Sequence, residues 1–374
     1  MADGDTPGTT QSQAGGTSID SAAAVDADPV EAYEQRVRRK LLVVAGLLGL
    51  LLVLVTYTLL SGPISIPLES LPSILLGQQE GTASRVIWNI RLPRIVAAVG
   101  AGFGLAIAGT VLQSLLRNPL ASPYTLGISQ AAAFGAAVAI VVFGAGSSTS
   151  SSAVDWVPYL TTAAAFTSAL LSTGAILVVA RLRRATPETL VLTGIALGAF
   201  FAAGTSTLEY FATNVQLAAL IAWKFGTVSG ATWDGNLVLW TTVVAASLYF
   251  VRRAWAYEVL DAGDDTARSL GVAVTRIRLT GMIVASLVTA VVVSLFGVIG
   301  FVGLVVPHIV RRVIGGDERF LVVASSVAGG VLLLASDLVA RRLIAPVVLP
   351  VGIVTAFVGV PLFLYLIVNG REYW

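Results

Sequence analysis

The chain has 374 residues, of which 56% are hydrophobic and only 12% charged, and its mean hydropathy is +0.86. Soluble globular domains carry roughly 25% charged residues, so the composition excludes an ordinary soluble domain. The formal net charge is +2, and because the sequence contains no cysteine, disulfides, thiolate metal sites and thiol catalysis are excluded as well.

The first 35 residues differ from the rest in charge, with seven acidic residues and no basic one. They are rich in Gly, Ser, Thr, Ala and Asp, so residues 1–35 are predicted to be a disordered acidic cytoplasmic tail. The tail lacks the basic start and apolar centre of a signal peptide. Such a tail, in a chain whose lysines are Lys40 and Lys224 alone, is typical of a salt-adapted prokaryote such as a haloarchaeon.

Ten apolar runs follow the tail, several of them close to the ~20 residues that a bilayer demands. Lipid offers the backbone no hydrogen-bonding water, so such runs must be helices. The predicted spans are 41–60, 95–116, 128–146, 157–180, 189–211, 235–252, 276–296, 298–313, 321–339 and 349–368. We therefore predict an all-α polytopic membrane protein in which residues 36–374 form one ten-helix transmembrane domain.

The basic residues between the spans predict their orientation. An even number of spans places both termini on one side, and the basic cluster at residues 36–40 assigns that side to the cytoplasm. With this orientation, 17 of the 23 basic residues fall on cytoplasmic segments. We expect a multi-pass plasma-membrane protein with cytoplasmic N- and C-termini.

Six basic residues remain on the external side. They are Arg85, Arg91, Arg94, Lys224, Arg341 and Arg342. Each is compatible with an anchor at a helix end, where a long cationic side chain reaches the membrane interface. The two clusters, RLPR at 91–94 and DLVARR at 337–342, also favour a surface that receives an acidic partner such as a soluble binding protein.

The spans carry little transport chemistry of their own. A proton- or sodium-driven carrier normally has ionisable residues near the bilayer midplane. Here Glu188, Glu209 and Asp337 all fall near predicted span ends, and the sequence has no G-x-x-x-x-G-K-[ST] loop for ATP. Uphill transport would therefore take its energy from another subunit.

The stretch GAGFGLAIAG, residues 100–109, superficially resembles a dinucleotide-binding loop. It lies inside a predicted span with no preceding strand, and Gly100, Gly104 and Ala108 share one helix face. This spacing predicts close packing between helices through small residues.

The polar stretch DAGDDTARSLGVAVTRIR, residues 261–278, interrupts the late spans on the cytoplasmic side. Asp264 can cap a short helix, Gly271 can end it, and Thr275 can cap a second one. The stretch is either an ordinary solvated loop or a rigid projection that seats in a cytoplasmic motor.

Five motifs together resemble the permease subunits of ATP-driven importers for ferric siderophores, haem and cobalamin. They are RLPRIVAAVGAGFGLAIAGTVLQSLLRNPLASPYTLGIS (91–129), WKFGTVSGATW (223–233), ARSLGV (267–272), GVIGFVGLVVPHIVRR (297–312) and LPVGIVTAFVGVPLFLYLI (349–367). The resemblance covers roughly residues 41–370. In one respect the chain departs from the family, because Val347 and Val348 stand where an acidic residue usually precedes the last span.

The resemblance implies ten helices per subunit and a homodimer with the pathway along its two-fold axis. It also implies two ATP-binding-cassette ATPase subunits and an external substrate-binding protein, with neither a cofactor nor a nucleic-acid partner. Arg91, Arg94 and Arg341 match positions that receive acidic residues of the binding protein. Coupling to the ATPases is implied for Gly263, Asp264, Asp265, Arg268, Leu270 and Gly271, and the cytoplasmic loop motif comprises Asn118, Pro119 and Leu120.

His308 is the one histidine of the sequence, and the matching stretch of the family carries no metal site. A histidine without partner ligands cannot hold a metal, so we predict a packing and hydrogen-bonding role at a helix end. Two other classes stay open. An intramembrane enzyme would need His308 to converge with Asp337 or Glu188, and a secondary carrier would need a buried coupling charge. Within the importer class the arginine match favours cobalamin slightly, with ferric siderophores and haem as alternatives.

Overall fold

Helices make up the regular structure of the described chain. The computed structural model describes residues 29–62, 64, 66–79, 81–145, 157–183 and 186–368. The α-helices are α1 (Pro29–Leu60), α2 (Leu71–Leu75), α3 (Thr82–Val86), α4 (Leu92–Leu116), α5 (Ile128–Ala137), α6 (Val157–Leu182), α7 (Pro187–Phe211), α8 (Asn214–Lys224), α9 (Trp233–Asp261), α10 (Asp264–Ser269), α11 (Val274–Phe296), α12 (Val302–Ile314), α13 (Glu318–Arg342) and α14 (Val351–Val368). Residues 1–28 of the predicted tail lie outside the described residues, whereas residues 29–35 begin α1.

The chain divides into two units, Met1–Leu42 and Val43–Trp374. Among the described residues, seven helical stretches are long and apolar enough to cross a membrane. They are α1, α3 joined to α4, α6, α7, α9, α11 and α13. Two shorter apolar stretches, Ile128–Val142 and Val351–Tyr365, fall in the regions of α5 and α14. Each of the ten predicted spans overlaps one of the helices, and the predicted all-α polytopic class is confirmed.

Two local features differ from the sequence prediction. The span predicted at 298–313 becomes helical only at Val302, because Gly297 and Phe301 adopt left-handed φ values of 74° and 65°. The short helix α8 was missed. Its start carries a sequence signal, a capping box in which Thr213 and Gln216 satisfy each other's backbone N–H groups.

Helix α4 lies at the centre of the bundle and is buried along nearly its whole length. It packs against α9, α11, α12 and α13. Gly100 touches Trp240 of α9, and Gly104 touches Val288 of α11. The predicted packing through small residues is therefore confirmed at Gly100 and Gly104, because any side chain there would meet a neighbouring helix.

The backbones of α4 and α13 touch where Gly102 meets Gly329. A Cβ atom on either glycine would collide with the backbone carbonyl of the other, so the two helices can approach this closely only with glycine at both positions. Arg94 contacts Asp337 near one end of the pair, and Ser114 contacts Glu318 near the other. The two helices are therefore antiparallel and joined at both ends.

Helices α7 and α14 are much less covered. In α7 the buried residues are Leu190, Gly194, Gly198 and Thr205. Bulky side chains on both helices are exposed, among them Leu192, Phe200, Tyr210, Phe357 and Leu364. Within the single chain these apolar faces of α7 and α14 are therefore not covered by other helices.

Candidate functional site

A buried carboxylate holds two of the predicted docking arginines at one end of α4, here called the Arg94 end. Asp337 of α13 is fully buried. Arg94 donates from Nη2 and Nε to its Oδ1 at 2.8 and 3.0 Å, and Arg341 donates from Nε to its Oδ2 at 3.1 Å. The side chains of Arg94 and Arg341 remain 14% and 18% exposed. Asp337, to which the docking prediction gave no part, is thus the counterion of this cluster.

Arg91 lies deeper than the prediction of a docking residue implies. Its side chain is buried and donates hydrogen bonds to the backbone carbonyls of Leu59 and Ile64. A Cβ on Gly62 would strike the same guanidinium. In the single chain Arg91 therefore anchors the end of α1 to the start of α4.

The Arg94 end keeps an excess of positive charge despite these contacts. Arg94 and Arg341 share one carboxylate, that of Asp337, whereas Arg91 forms none of the ion pairs found among the described residues. Nη2 of Arg341 is buried with no hydrogen-bond partner among the described residues. Arg342 is exposed and lies over the ring of Tyr57, 5.9 Å from its centroid. A net positive field at this end remains available to an acidic partner.

The opposite end of α4, here called the α10 end, carries the predicted coupling segment. Helix α10 begins at Asp264 after Gly263, whose φ is 116°, and Gly271 with φ 80° follows its end. The predicted caps are wrong, because Gly263 and Ala273 occupy the N-cap positions assigned to Asp264 and Thr275. The predicted second short helix is instead the first turn of α11. Both glycines adopt backbone angles that other residues rarely reach.

A buried arginine ties α10 to α4. Arg278 of α11 donates to Asp264 at 2.9 and 3.2 Å, and its Nε donates to the backbone carbonyl of Leu115 at 3.0 Å. The hydrogen bond from Arg278 holds the pKa of the Asp264 carboxyl below its usual range. Arg268 pairs with Asp265 on the exposed side of α10, and Leu270 projects into solvent. The segment is therefore a supported projection with an exposed tip.

A second ionic chain reaches α4 from the last residue of α9. Asp261 lies 3.6 Å from Arg311, Arg311 lies 3.2 Å from Glu318, and Glu318 accepts a 2.6 Å hydrogen bond from Ser114. Glu318 is fully buried. The two networks meet on consecutive residues of α4, Ser114 and Leu115. A displacement of α10 or of the end of α9 would therefore act on the same end of α4.

The predicted loop motif lies directly after these residues. Arg117 ends α4 in the left-handed conformation with φ 46°, and the amide of Asn118 donates to the carbonyl of Gln113 at 3.1 Å. The side chain of Asn118 accepts from the amide of Leu120 at 2.9 Å. Pro119 is half-buried and Leu120 is exposed. The motif is a capped turn with an apolar tip.

A mainly apolar cavity of about 640 Å³ lies between the loop after α4 and helices α12 and α14. Ser122, Tyr124 and Thr125 contribute its polar atoms together with Lys224. A smaller cavity of about 260 Å³ beside α7 shares Tyr124, Lys224 and Val298 with it. Lys224 forms a 2.8 Å ion pair with Glu209, so the charge at this point is balanced. The two cavities adjoin the open faces of α7 and α14.

The side chains required by the intramembrane-enzyme alternative do not come together. His308 lies one turn from Arg311 on α12, at the α10 end, whereas Asp337 belongs to the opposite end of the bundle. Glu188 is exposed on the first turn of α7. The Nε2 atom of His308 is buried without a hydrogen-bond partner among the described residues, so it pairs with neither carboxylate, and the predicted hydrogen-bonding role is not seen at this atom. The described residues contain no group of three His, Asp or Glu side chains that could hold a metal ion.

Comparison with known proteins identifies relatives along most of the chain. A family model described as the FecCD transport family matches residues 50–369. A Methanocaldococcus jannaschii protein named as an ABC transporter permease is 46% identical over 343 residues, which are 91% of this chain and 98% of the relative. The cobalamin import permease of Halobacterium salinarum is 40% identical over 76% of this chain and 74% of its own length. The hemin transport permease of Yersinia pestis is 37% identical over 76% and 84%.

The fold also matches a solved structure. It is described as an inward-facing conformation of an ABC transporter of the metal-chelate type, with a TM-score of 0.76 and 28% sequence identity. The match covers 87% of this chain and 98% of the solved chain. The arrangement of helices and the sequence relatives thus agree.

Proposed function

Because this chain belongs to the FecCD transport family, we propose that it is the membrane permease of an importer that carries cobalamin across the plasma membrane by alternating access. The family's permeases transport metal chelates, and ATP is hydrolysed on a separate subunit. One observation carries the proposal: a central helix whose ends join an arginine cluster to a supported projecting segment. Such a helix suits a permease that must couple binding on one side of a membrane to ATP hydrolysis on the other.

Cobalamin is the substrate we favour within this class, and ferric siderophores or haem are the alternatives. The haloarchaeal relative named for cobalamin import is 40% identical, and the relative named for hemin transport is 37% identical over a similar length. The low lysine content agrees with a haloarchaeal source. The cavity lined mostly by apolar side chains suits a bulky chelate, because large apolar walls bind such ligands without strong directional contacts.

The proposed assembly contains two copies of the chain. Open apolar faces on α7 and α14 adjoin the cavity, and a second copy related by a two-fold axis would cover them and close the pathway. The same assembly would contain two α10 segments. Two ATPase subunits would each receive one of them.

The α10 end is proposed to face the cytoplasm. It carries Arg117, Arg268, Arg276 and Arg319, as the positive-inside rule requires of cytoplasmic segments. The coupling role is proposed for Gly263, Asp264, Asp265, Arg268, Leu270 and Gly271. In this role Leu270 and the exposed side of α10 enter a groove of the ATPase, while Asp264 and Arg278 hold the base of the helix.

The Arg94 end would then receive the external binding protein. Its excess positive charge would steer acidic side chains of the binding protein toward Arg94 and Arg341. Arg91 would support this docking surface indirectly, because its hydrogen bonds fix the loop after α1. The tight α4–α13 pair would carry the docking signal toward Ser114, Leu115 and the coupling segment, because its glycine contact and terminal polar contacts oppose internal sliding.

The test is ATP-dependent uptake in proteoliposomes that contain this chain, its ATPase and its binding protein. Radiolabelled cobalamin, a ferric siderophore and haem are compared under the same conditions. We expect cobalamin to accumulate and the other two to remain outside. Uptake of another chelate would overturn cobalamin as the substrate but would leave the assignment as an importer intact. Failure of any ATPase to assemble with this chain would overturn the importer proposal itself.

A further inference from the structure

The α10 end contains a basic cleft whose arginines have no role in the docking and coupling proposed above. The cleft lies between α9 and α11, has a volume of about 400 Å³ and is lined by Arg252, Arg253, Trp255, Tyr249, Arg276 and Thr280, among others. Its described lining residues include no Asp or Glu, and no ion pair within the described residues neutralises the three arginines. We propose that this cleft binds the phosphate headgroup of an anionic phospholipid.

The helix faces that carry the arginines continue as exposed aliphatic surface. On α9, Leu248, Arg252 and Trp255 follow at spacings of four and three residues, so they share one face. On α11, Arg276, Thr280 and Ile283 do the same. Leu248 is 53% exposed and Ile283 is 45% exposed. Each face thus passes from guanidinium to apolar side chain in the direction of the membrane core, which matches the change from headgroup to acyl chain.

The depth of the site distinguishes a lipid from a soluble partner. Ile283 lies seven residues beyond Arg276, or about 10 Å further along α11 at 1.5 Å per residue. A neighbouring cavity of about 620 Å³ shares Arg276 and Thr280 with the cleft and extends to Ile283. A soluble ATPase docks at the surface of the bilayer, whereas a phospholipid fills both the basic and the apolar parts.

Aromatic and hydroxyl groups complete the floor and rim of the cleft. Tyr249 donates a 2.6 Å hydrogen bond to Thr280, which joins α9 to α11 at the base of the cleft. Trp255 is 50% exposed at the rim, and tryptophan is enriched at the membrane–water interface. Gly271 and Val272 of the coupling segment also line the cleft. A bound lipid would therefore support the segment that the ATPase is proposed to move.

The site is tested by titrating the full-length chain in a mild detergent with brominated phosphatidylglycerol or brominated phosphatidylcholine. Bromine quenches nearby tryptophan fluorescence, and subtraction of the Trp255→Phe signal isolates Trp255. We expect quenching at a much lower mole fraction of phosphatidylglycerol. The double variant Arg252→Gln/Arg253→Gln should lose about thirtyfold of that preference, because each basic residue near an anionic surface contributes about fivefold.

Two control variants make the result specific. Arg183→Gln/Arg319→Gln removes two exposed arginines that do not line the cleft and should keep the preference. Arg252→Lys/Arg253→Lys keeps the positive charge and should retain most of the preference for phosphatidylglycerol. This variant therefore separates loss of the site from misfolding of the chain. Equal quenching by both lipids, or an equal loss in the Arg183 and Arg319 control, would overturn the proposal.

Two further arms identify other occupants. If millimolar glycerol phosphate abolishes the quenching, the cleft binds a soluble phosphate. If addition of the ATPase releases the lipid, the arginines belong to the contact with the ATPase. Either result would overturn a lipid site.

Discussion

Removal of the Asp337 charge is the most direct test of the Arg94 end. Replacement of Asp337 by Asn keeps the shape of the side chain and leaves Arg94 and Arg341 without a counterion in a largely buried site. Opposite charges about 4 Å apart interact by about 4 kcal/mol at an effective dielectric constant of 20, and Asp337 has two such partners. Part of this is offset by the desolvation of the carboxylate, and loss of one partner from a buried pair typically costs about 3–5 kcal/mol.

We therefore expect Asp337→Asn to lower the free energy of unfolding by about 3 kcal/mol or more. The measurement is unfolding of the purified chain in mixed micelles with increasing SDS. Asp265→Asn is the matched control, because Asp265 also pairs with an arginine but its side chain is 99% exposed. Such exposed pairs contribute about 0–1 kcal/mol.

A third variant tests whether the cost comes from unpaired charge. The triple change of Asp337→Asn with Arg94→Gln and Arg341→Gln removes all three charges and should recover much of the stability lost by Asp337→Asn alone. If Asp337→Asn is no less stable than Asp265→Asn, the carboxylate is not the counterion that holds this end together. The Arg94–Asp337 contact would then not be one that holds α4 and α13 together.

Four further changes test the other parts of the proposal. Gly271→Val should cost about 1–2 kcal/mol at its left-handed backbone and lower the ratio of substrate transported to ATP hydrolysed; an unchanged ratio would argue against a coupling segment. Gly102→Ala should destabilise the bundle by about 2–3 kcal/mol because its methyl meets the α13 backbone, whereas Gly46→Ala, which meets nothing within 4 Å, should be neutral or stabilising. Arg341→Gln should weaken binding-protein affinity about tenfold at low salt and less at high salt, and salt-independent affinity would contradict electrostatic docking. His308→Gln should keep more than half of the uptake rate, and loss of uptake in a folded complex would restore a functional role for this side chain.

The spans could be predicted because each is a local run of apolar residues. Hydropathy alone predicted ten spans that each overlap a helix of the structure, and the boundary of α12 was misplaced because the left-handed Phe301 has no signature in composition. Helix α8 carried a local signal, the capping box of Thr213 and Gln216, but its mixed sequence of 11 residues did not stand out as a span.

The ionic contacts could not be predicted, because their partners are far apart along the chain. Arg94 and Asp337 are separated by 243 residues, and Ser114 and Glu318 by 204. Orientation of the spans placed Arg94 and Asp337 toward one membrane face and Ser114 and Glu318 toward the other, without indicating which helices would be neighbours. A carboxylate near the end of a span, four residues before an arginine pair, is nevertheless a sequence signal for a counterion. Asp337 in DLVARR carries that signal.

The distribution of packing indicates which parts of the subunit can move. The α4–α13 pair is held by a glycine contact at which neither helix has room for a methyl group, and by polar contacts near both ends. Helix α7 packs mainly against α5 and only slightly against α4, and within the single chain it buries four of its 25 residues. The helix that follows it, α8, has one buried residue. Closely packed interiors transmit displacement with little internal change, whereas sparsely packed elements rearrange at lower cost. We therefore expect alternating access to be a movement of α7 and α8 relative to a rigid α4–α13 pair. Spin labels on α7 should then change their distance to α13 on ATP binding, while labels on α4 and α13 keep theirs.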